Sequence, residues 1–248
     1  MRIDVVSIFP EMFDSVTAVG ITSRAIERGL WSLKCWNPRD FVESSYRRVD
    51  DRPYGGGPGM VMLAEPLAKT LQAISVDQAG RDAPVFLMSP QGRPLTHDRV
   101  VELATLDAMT IVAGRYEGVD QRFVDRHVTE AFCIGDFVVS GGELPAMMLV
   151  DAVVRLLPGA VNDPDSVVQE SFADGLLDCP HYTRPEQFDG TAVPGALMSG
   201  DHKRIAAWRR CHALRTTARV RPELIASLRS QGLLSAQDEA WLAGAEVA

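Results

Sequence analysis

The stretch Ala131–Met148, AFCIGDFVVSGGELPAMM, decides how the rest of the chain is read. Its first four residues, Ala131–Ile134, form an apolar run with strand character that breaks at Gly135-Asp136. A second strand-like run, Phe137–Val139, stops at Ser140-Gly141-Gly142. Glu143 and Pro145 then open an apolar helix, with proline in the first turn, where its missing N–H costs nothing. Two apolar runs interrupted by glycine and ending at a helix start leave backbone amides able to face a ligand. A buried strand–turn–helix with no ligand fits the same residues, and this stretch alone does not separate the two.

The segments upstream repeat the pattern. Ile3–Phe9 and Leu33–Trp36 read as strands, with helices over Glu11–Val19 and Ser23–Gly29 and a loop at Asn37–Asp40. Pro84–Met88 is an apolar strand ending at Ser89-Pro90-Gln91-Gly92, and Met109–Ala113 is another, ending at Gly114-Arg115-Tyr116-Glu117-Gly118. Helices are expected over Leu63–Ala73, from a Thr96 cap to about Leu106, and over Val119–Arg126, with a polar loop at Ala79–Ala83. Strands alternating with helices predict an α/β fold with a mostly parallel sheet. Ligands of such sheets sit beyond the carboxyl ends of strands, where three of these strands carry glycine-bearing loops. Val49–Met62, VDDRPYGGGPGMVM, has three consecutive glycines and is irregular. It has neither the Lys-Ser/Thr of a phosphate loop nor GxGxxG spacing, so neither nucleotide motif applies. A flexible turn and a substrate-contacting loop fit its composition equally.

Downstream, the helix Pro145–Leu157 is apolar almost all round, with Asp151 and Arg155 its only charges. Such a helix is covered on most sides, by the sheet or by another subunit. Arg155 at its end is either a cap for terminal carbonyls or an anion contact. Pro158-Gly159 closes a first domain, residues 1–159, and the polar, turn-rich segment 160–171 reads as a linker. Residues 172–248 form a second, mainly helical domain that starts with the irregular stretch Phe172–Pro185. Helices follow over Asp201–Val220, Pro222–Gln231 and Ser235–Ala243.

Net charge is −8, against a protein that coats nucleic acid indiscriminately. Yet Lys203–Arg221 holds seven Lys or Arg and no acid, which suggests a localised anionic partner; a solvated helix face is the alternative. At about 100° per residue, Arg204, Trp208, Arg215 and Arg219 share one sector, with Trp208 either a base-stacking platform or core. The composition, 46% apolar and 23% charged, is that of an ordinary globular protein. Four dispersed cysteines (Cys35, Cys133, Cys179, Cys211) form no CxxC pair, against a zinc site or disulfide framework. No apolar run has the length of a signal peptide or membrane span, so a cytoplasmic protein is expected. The histidines show no ligand spacing, and no metal site is assigned.

Taken in order, DDRPYGGGPGM, SPQGR, GRYEG, IGDFVVSGGELPAM and GLLDCPHYTRPE resemble the motifs of the bacterial tRNA (guanine-N1)-methyltransferases, the TrmD family of the SPOUT class. The resemblance runs nearly end to end. It implies a deep trefoil knot in the sheet domain, although true knots are rare in general. It implies a homodimer with active sites shared between subunits, S-adenosyl-L-methionine as methyl donor, and tRNA as partner, bound against the helical domain. The acceptor is then N1 of the guanine at position 37, immediately 3′ of the anticodon. Donor contacts are implied at Leu87, Ser89, Pro90 and Gly92, and at Gly114, Tyr116 and Gly118. Others are implied at Ile134, Gly135, Asp136, Phe137, Val138 and Val139, then Gly141, Gly142 and Pro145. A magnesium (Mg2+) requirement carries over with no residues attached.

Arg155 resembles the family arginine that contacts guanine O6. The general base in the family is an aspartate just before Ser-Phe, and this chain departs from that pattern with Glu170, in Gln169-Glu170-Ser171-Phe172. Glutamate has the same chemistry with one more methylene, which a linker absorbs more readily than a helix would. Asp165 and Asp174 are nearby carboxylates that could substitute for Glu170 as the base, with solvated acids the preferred reading of both. Asp178, Glu117 and Gly59 resemble positions at which the family reads the target guanine or its neighbour. Competing readings are a SPOUT methyltransferase on another RNA target and an RNA-binding homologue that has lost activity, the latter motivated by Glu170 alone.

Overall fold

Five apolar runs of the N-terminal half pair side by side in one parallel sheet. The strands β1 (Arg2–Val6), β2 (Ser32–Trp36), β3 (Val85–Pro94), β4 (Ala108–Ala113) and β5 (Glu130–Cys133) lie in the order β2-β1-β4-β3-β5. Around them run the helices α1 (Gly20–Glu27), α2 (Ala64–Asp77), α3 (His97–Leu103), α4 (Gln121–His127) and α5 (Glu143–Val154). The computed structural model describes residues 1–80, 83–163 and 165–246. The chain divides into two units, Met1–Asn162 and Asp163–Ala248.

Period-two alternation places the core on both faces of the sheet. Ile3, Val5, Phe86, Met88, Met109 and Ile111 pack with Leu149, Val150 and Val153 of α5. On the opposite face Val6, Leu87 and Val112 meet Leu67 and Ile74 of α2 and Phe123 of α4. Side-chain caps start two of the helices: Thr96 accepts from Arg99 N–H at the head of α3, and Asp120 from Arg122 N–H at the head of α4. Among the described residues one charge is fully buried in the sheet. Asp4, in the middle of β1 and fully buried, accepts from Arg2, Trp36 Nε1 and Gln78 Nε2. Those bonds satisfy a carboxylate that would otherwise be costly to bury.

Several expected boundaries move. β3 does not end at Met88: Phe132 pairs with both Met88 and Arg93, and Pro94 pairs with Cys133. Ser89–Gly92 is therefore an excursion from a strand that rejoins the same neighbour. Phe137–Val139 is not a strand, because β5 is the sheet edge and the chain turns away after it; Phe137 and Val138 are exposed. The ends of the glycine-rich stretch pair as a short antiparallel ladder, Asp50–Asp51 with Val61–Met62, which makes it a hairpin. Asn37–Asp40 tightens into a 3-10 turn over Pro38–Phe41, capped by the Asn37 side chain. β1 stops at Val6, short of the expected Phe9, and α2 runs on to Asp77. Arg81 and Asp82 of the expected polar loop lie outside the described residues, as do Pro164 of the expected linker and the side chain of Asp165.

In the second unit α6 (His202–Val220), α7 (Pro222–Ser230) and α8 (Ala236–Leu242) enclose Leu176, Leu214, Ile225 and Leu228. Asp201 caps α6, and Ser235 with Asp238 forms a capping box on α8. The basic run splits. Arg210 pairs with Asp174 and Asp238, and Arg215 donates to the carbonyls of Trp241 and Ala245. Trp208 is buried and stacks on His212 at 4.0 Å, so it is core and not a platform for bases. Lys203, Arg204, Arg209 and Arg219 are the exposed cations of this helix. No helix among the described residues is long and apolar enough to cross a membrane.

Candidate active site

The excursion of β3 after Met88 and the carboxyl ends of its neighbours β4 and β5 open onto a cavity of about 600 Å³. That size is within the range of small-molecule sites. Its walls come from three loops: Leu87–Gln91, Gly114–Val119, and the chain from Ala131 to Pro145. Every position expected at the donor site lines it except Gly92 and Asp136. Asp136 is exposed in the turn after Gly135. Gly92 is structural: a Cβ there would lie 2.5 Å from the backbone of Ala131 and Phe132, so only glycine lets β3 rejoin β5.

Close backbone approach gives the cavity its shape. Gly142 N–H donates to Gly114 O at 2.7 Å, and a Cβ on Gly142 would stand 2.8 Å from Ala113 Cα. The loop after β5 is thus pressed directly onto the end of β4. At the rim Tyr116 adopts φ +62°, a left-handed conformation that a non-glycine residue holds only when its surroundings impose it.

Beneath this contact sits a buried ion pair. Glu143, fully buried at the first position of α5, accepts from Ser7 Oγ at 2.8 Å and from Arg115 Nε at 2.7 Å. Arg115 also donates to Ser140 O at 3.2 Å and lies over the Phe9 ring at 4.6 Å. Gly141 packs against the same guanidinium with no room for a side chain. One carboxylate thereby joins the segment after β1, the loop after β4 and the start of α5.

The returning strand of the hairpin meets the loop after β4. Glu117 N–H donates to Met60 O at 2.9 Å, and Met62 N–H donates to Gly118 O at 2.9 Å. Gly59, at φ +78°, lies directly against the Glu117 side chain, and a Cβ there would fall 2.5 Å from Glu117 Cγ. Two residues distant in sequence, both expected at guanine recognition, are therefore neighbours. Arg155 occupies the C-cap of α5, its backbone N–H bonded to Asp151 O.

The second unit carries the remaining candidates. Glu170 is half-buried and its carbonyl accepts from Ala173 N–H. Asp174 is held by Arg210 rather than solvated alone. Asp178 accepts from Cys179 N–H at 2.6 Å and contacts His181 Nε2 at 2.8 Å. Partial burial works to raise this carboxyl, but His181 and the Cys179 N–H outweigh it and hold the group below the usual carboxylate value, so it is anionic at neutral pH. Among the described residues Asp178, Cys179 and His181 place one potential ligand atom each within 4.8 Å of one another.

A family model described as tRNA (Guanine-1)-methyltransferase TrmD matches residues 1–227. The chain belongs to the TrmD family. It is 59% identical over 245 residues to a Ralstonia nicotianae protein named tRNA (guanine-N(1)-)-methyltransferase, covering 99% of this chain and 94% of that protein. Proteins of the same name from Burkholderia lata and Burkholderia cenocepacia are each 58% identical over 246 residues, covering 98% of this chain and 93% of theirs.

In this TrmD-family chain the sequence reading passed over Cys133 and Gln121 as cavity walls, and Ser7, Arg115 and Glu143 as the bonded group beneath it. Strand alternation carried a signal for one of them. Phe132 faces the core, so Ala131 and Cys133 must face the other way. Removing one partner of a buried pair leaves the other charge uncompensated. Glu143→Ala should therefore lower folding stability by about 3–5 kcal/mol in urea titration, with Glu143→Gln losing less because the amide still bonds Ser7 and Arg115. An unchanged midpoint for Glu143→Ala would show that the pair is dispensable.

Proposed function

We propose that the chain transfers the methyl group of S-adenosyl-L-methionine to N1 of guanine in tRNA, the guanine at position 37 beside the anticodon. The observation that carries this is membership of the TrmD family over nearly the whole chain, joined to a cavity at the strand ends where the methyl donor is expected. The residues present fit that donor. The cavity is of suitable size, largely apolar, and closed by glycine positions where backbone rather than side chains forms the wall. When bound, the donor supplies a methyl group on a sulfonium that needs no further activation.

The chain then has three tasks: to remove the N1 proton, to meet the charge that develops on O6, and to hold the ring in line. Glu170 takes the proton, with a carboxylate one methylene longer than the family aspartate. Arg155 donates to O6. Glu117 accepts from guanine N–H groups, with Gly59 leaving the space its side chain occupies, and Asp178 contributes a carboxylate to the same recognition. The exposed cations of α6, Lys203, Arg204, Arg209 and Arg219, meet the phosphate backbone. Domain roles follow: the first unit holds the donor and the helical unit holds tRNA.

The sheet unit is proposed to be knotted, as the SPOUT class implies; the contact of Gly142 with Gly114 supports this, since it lays the chain after β5 across the end of β4. It is proposed to form a cytoplasmic homodimer with shared active sites. Leu144 and Met148 support a covered face, because they are exposed apolar residues one turn apart on α5; Phe137 and Val138, in the segment before that helix, are exposed as well. Among the described residues a magnesium requirement finds no matching group: the thiol and imidazole of Asp178–Cys179–His181 do not suit a hard cation.

Purified protein should move labelled methyl from the donor to tRNA carrying guanine at position 37, and not to the same tRNA with adenine there. Glu170→Gln should lower single-turnover rate by about 10²–10⁴-fold, and wild-type turnover in that variant would remove Glu170 from the mechanism. Gly59→Ala, which drives a methyl group into the Glu117 side chain, should raise KM for tRNA roughly 10–100-fold, the equivalent of one charge-assisted hydrogen bond. A KM unchanged in Gly59→Ala would take the Glu117–Gly59 pair out of guanine recognition.

A further inference from the structure

Among the described residues, one group combines three kinds of metal-ligand atom: the Asp178 carboxylate, the Cys179 thiol and the His181 imidazole, mutually within 4.8 Å. In a tetrahedral zinc site, with bonds of about 2.0–2.3 Å, ligand atoms stand roughly 3.3–3.7 Å apart. The three atoms thus need only small movements. The side chain able to move furthest is His181, which is 74% exposed.

The frame that carries them is fixed. Leu177 N–H donates to Thr217 Oγ1 of α6 at 2.8 Å, and Asp178 N–H donates to Ser171 Oγ at 3.0 Å. Cys179 N–H holds Asp178 Oδ1, which leaves Oδ2 as the oxygen that faces His181 Nε2. A carboxylate oriented by a backbone N–H, a buried thiol and an exposed imidazole thus stand together on one short irregular segment.

We infer that Asp178, Cys179 and His181 form a binding site for a borderline-soft divalent cation of the Zn2+ class, with solvent in the fourth position. Sulfur and imidazole nitrogen select Zn2+ over Mg2+ or Ca2+, which prefer all-oxygen shells. On binding, the thiol gives up its proton and the imidazole coordinates in its neutral form.

Cobalt(II) is the probe, titrated into the full chain under reducing conditions. The expected result is a thiolate-to-cobalt charge-transfer band with visible d–d bands, displaced by added Zn2+. Cys179→Ser should abolish the charge-transfer band. His181→Asn, at an exposed position that leaves the core intact, should weaken apparent affinity at least about tenfold. It decides the matter even if Cys179→Ser fails to fold. No band at saturating cobalt, a band that survives Cys179→Ser, or undiminished affinity in His181→Asn would overturn the site. One consequence rests on Asp178 contacting RNA: Zn2+ should then weaken tRNA binding by the wild type and not by His181→Asn. Unweakened tRNA binding alongside an intact cobalt band would leave the metal site standing and remove Asp178 from the RNA contact.

Discussion

A single buried carboxylate holds the candidate site together. Glu143 stands where three chain segments meet, bonded to Ser7 after β1 and to Arg115 after β4 while it starts α5. Buried at the start of α5 a lone charge is costly, so the junction depends on both partners being in place. That requirement brings the loop after β5 onto the end of β4, where Gly142 and Gly114 share a backbone hydrogen bond. The cavity is the space left when these loops converge over parallel strand ends.

Glycine is needed at the points of closest approach for steric reasons. At Gly142 a side chain would strike the backbone of Ala113 and Gly114, and at Gly59 it would strike Glu117. The first position shapes the cavity wall; the second seats the base of the hairpin beside the residue proposed to read guanine. Backbone-lined walls suit a ligand recognised by shape and by amide groups more than by charge.

Much of the α/β architecture was legible because buried parallel strands leave continuous apolar runs, such as Met109–Ala113 within β4. The helix cap at Thr96 was legible because capping is local chemistry, whereas Asp201 and Ser235, read as first residues of helices, prove to be caps. What escaped depends on partners distant in sequence. Phe137–Val139 has a strand composition but no neighbour to pair with beyond the sheet edge, while β3 continues to Pro94 only because β5 is there to receive it. Asp4 and Glu143 look like surface charges until Trp36, Gln78, Ser7 and Arg115 are in place around them. Among the candidate residues, the cavity loops announced themselves by glycine, whereas Gly92 and Asp136 share that composition without facing the space.

The central claim is that the three loops over β3, β4 and β5 hold the methyl donor. Hydrogen exchange of the full chain, with and without S-adenosylhomocysteine, tests it most directly. The account predicts that ligand-induced protection concentrates in Leu87–Gln91, Gly114–Val119 and Cys133–Pro145. Binding with protection confined to other segments, and none in these loops, would contradict it.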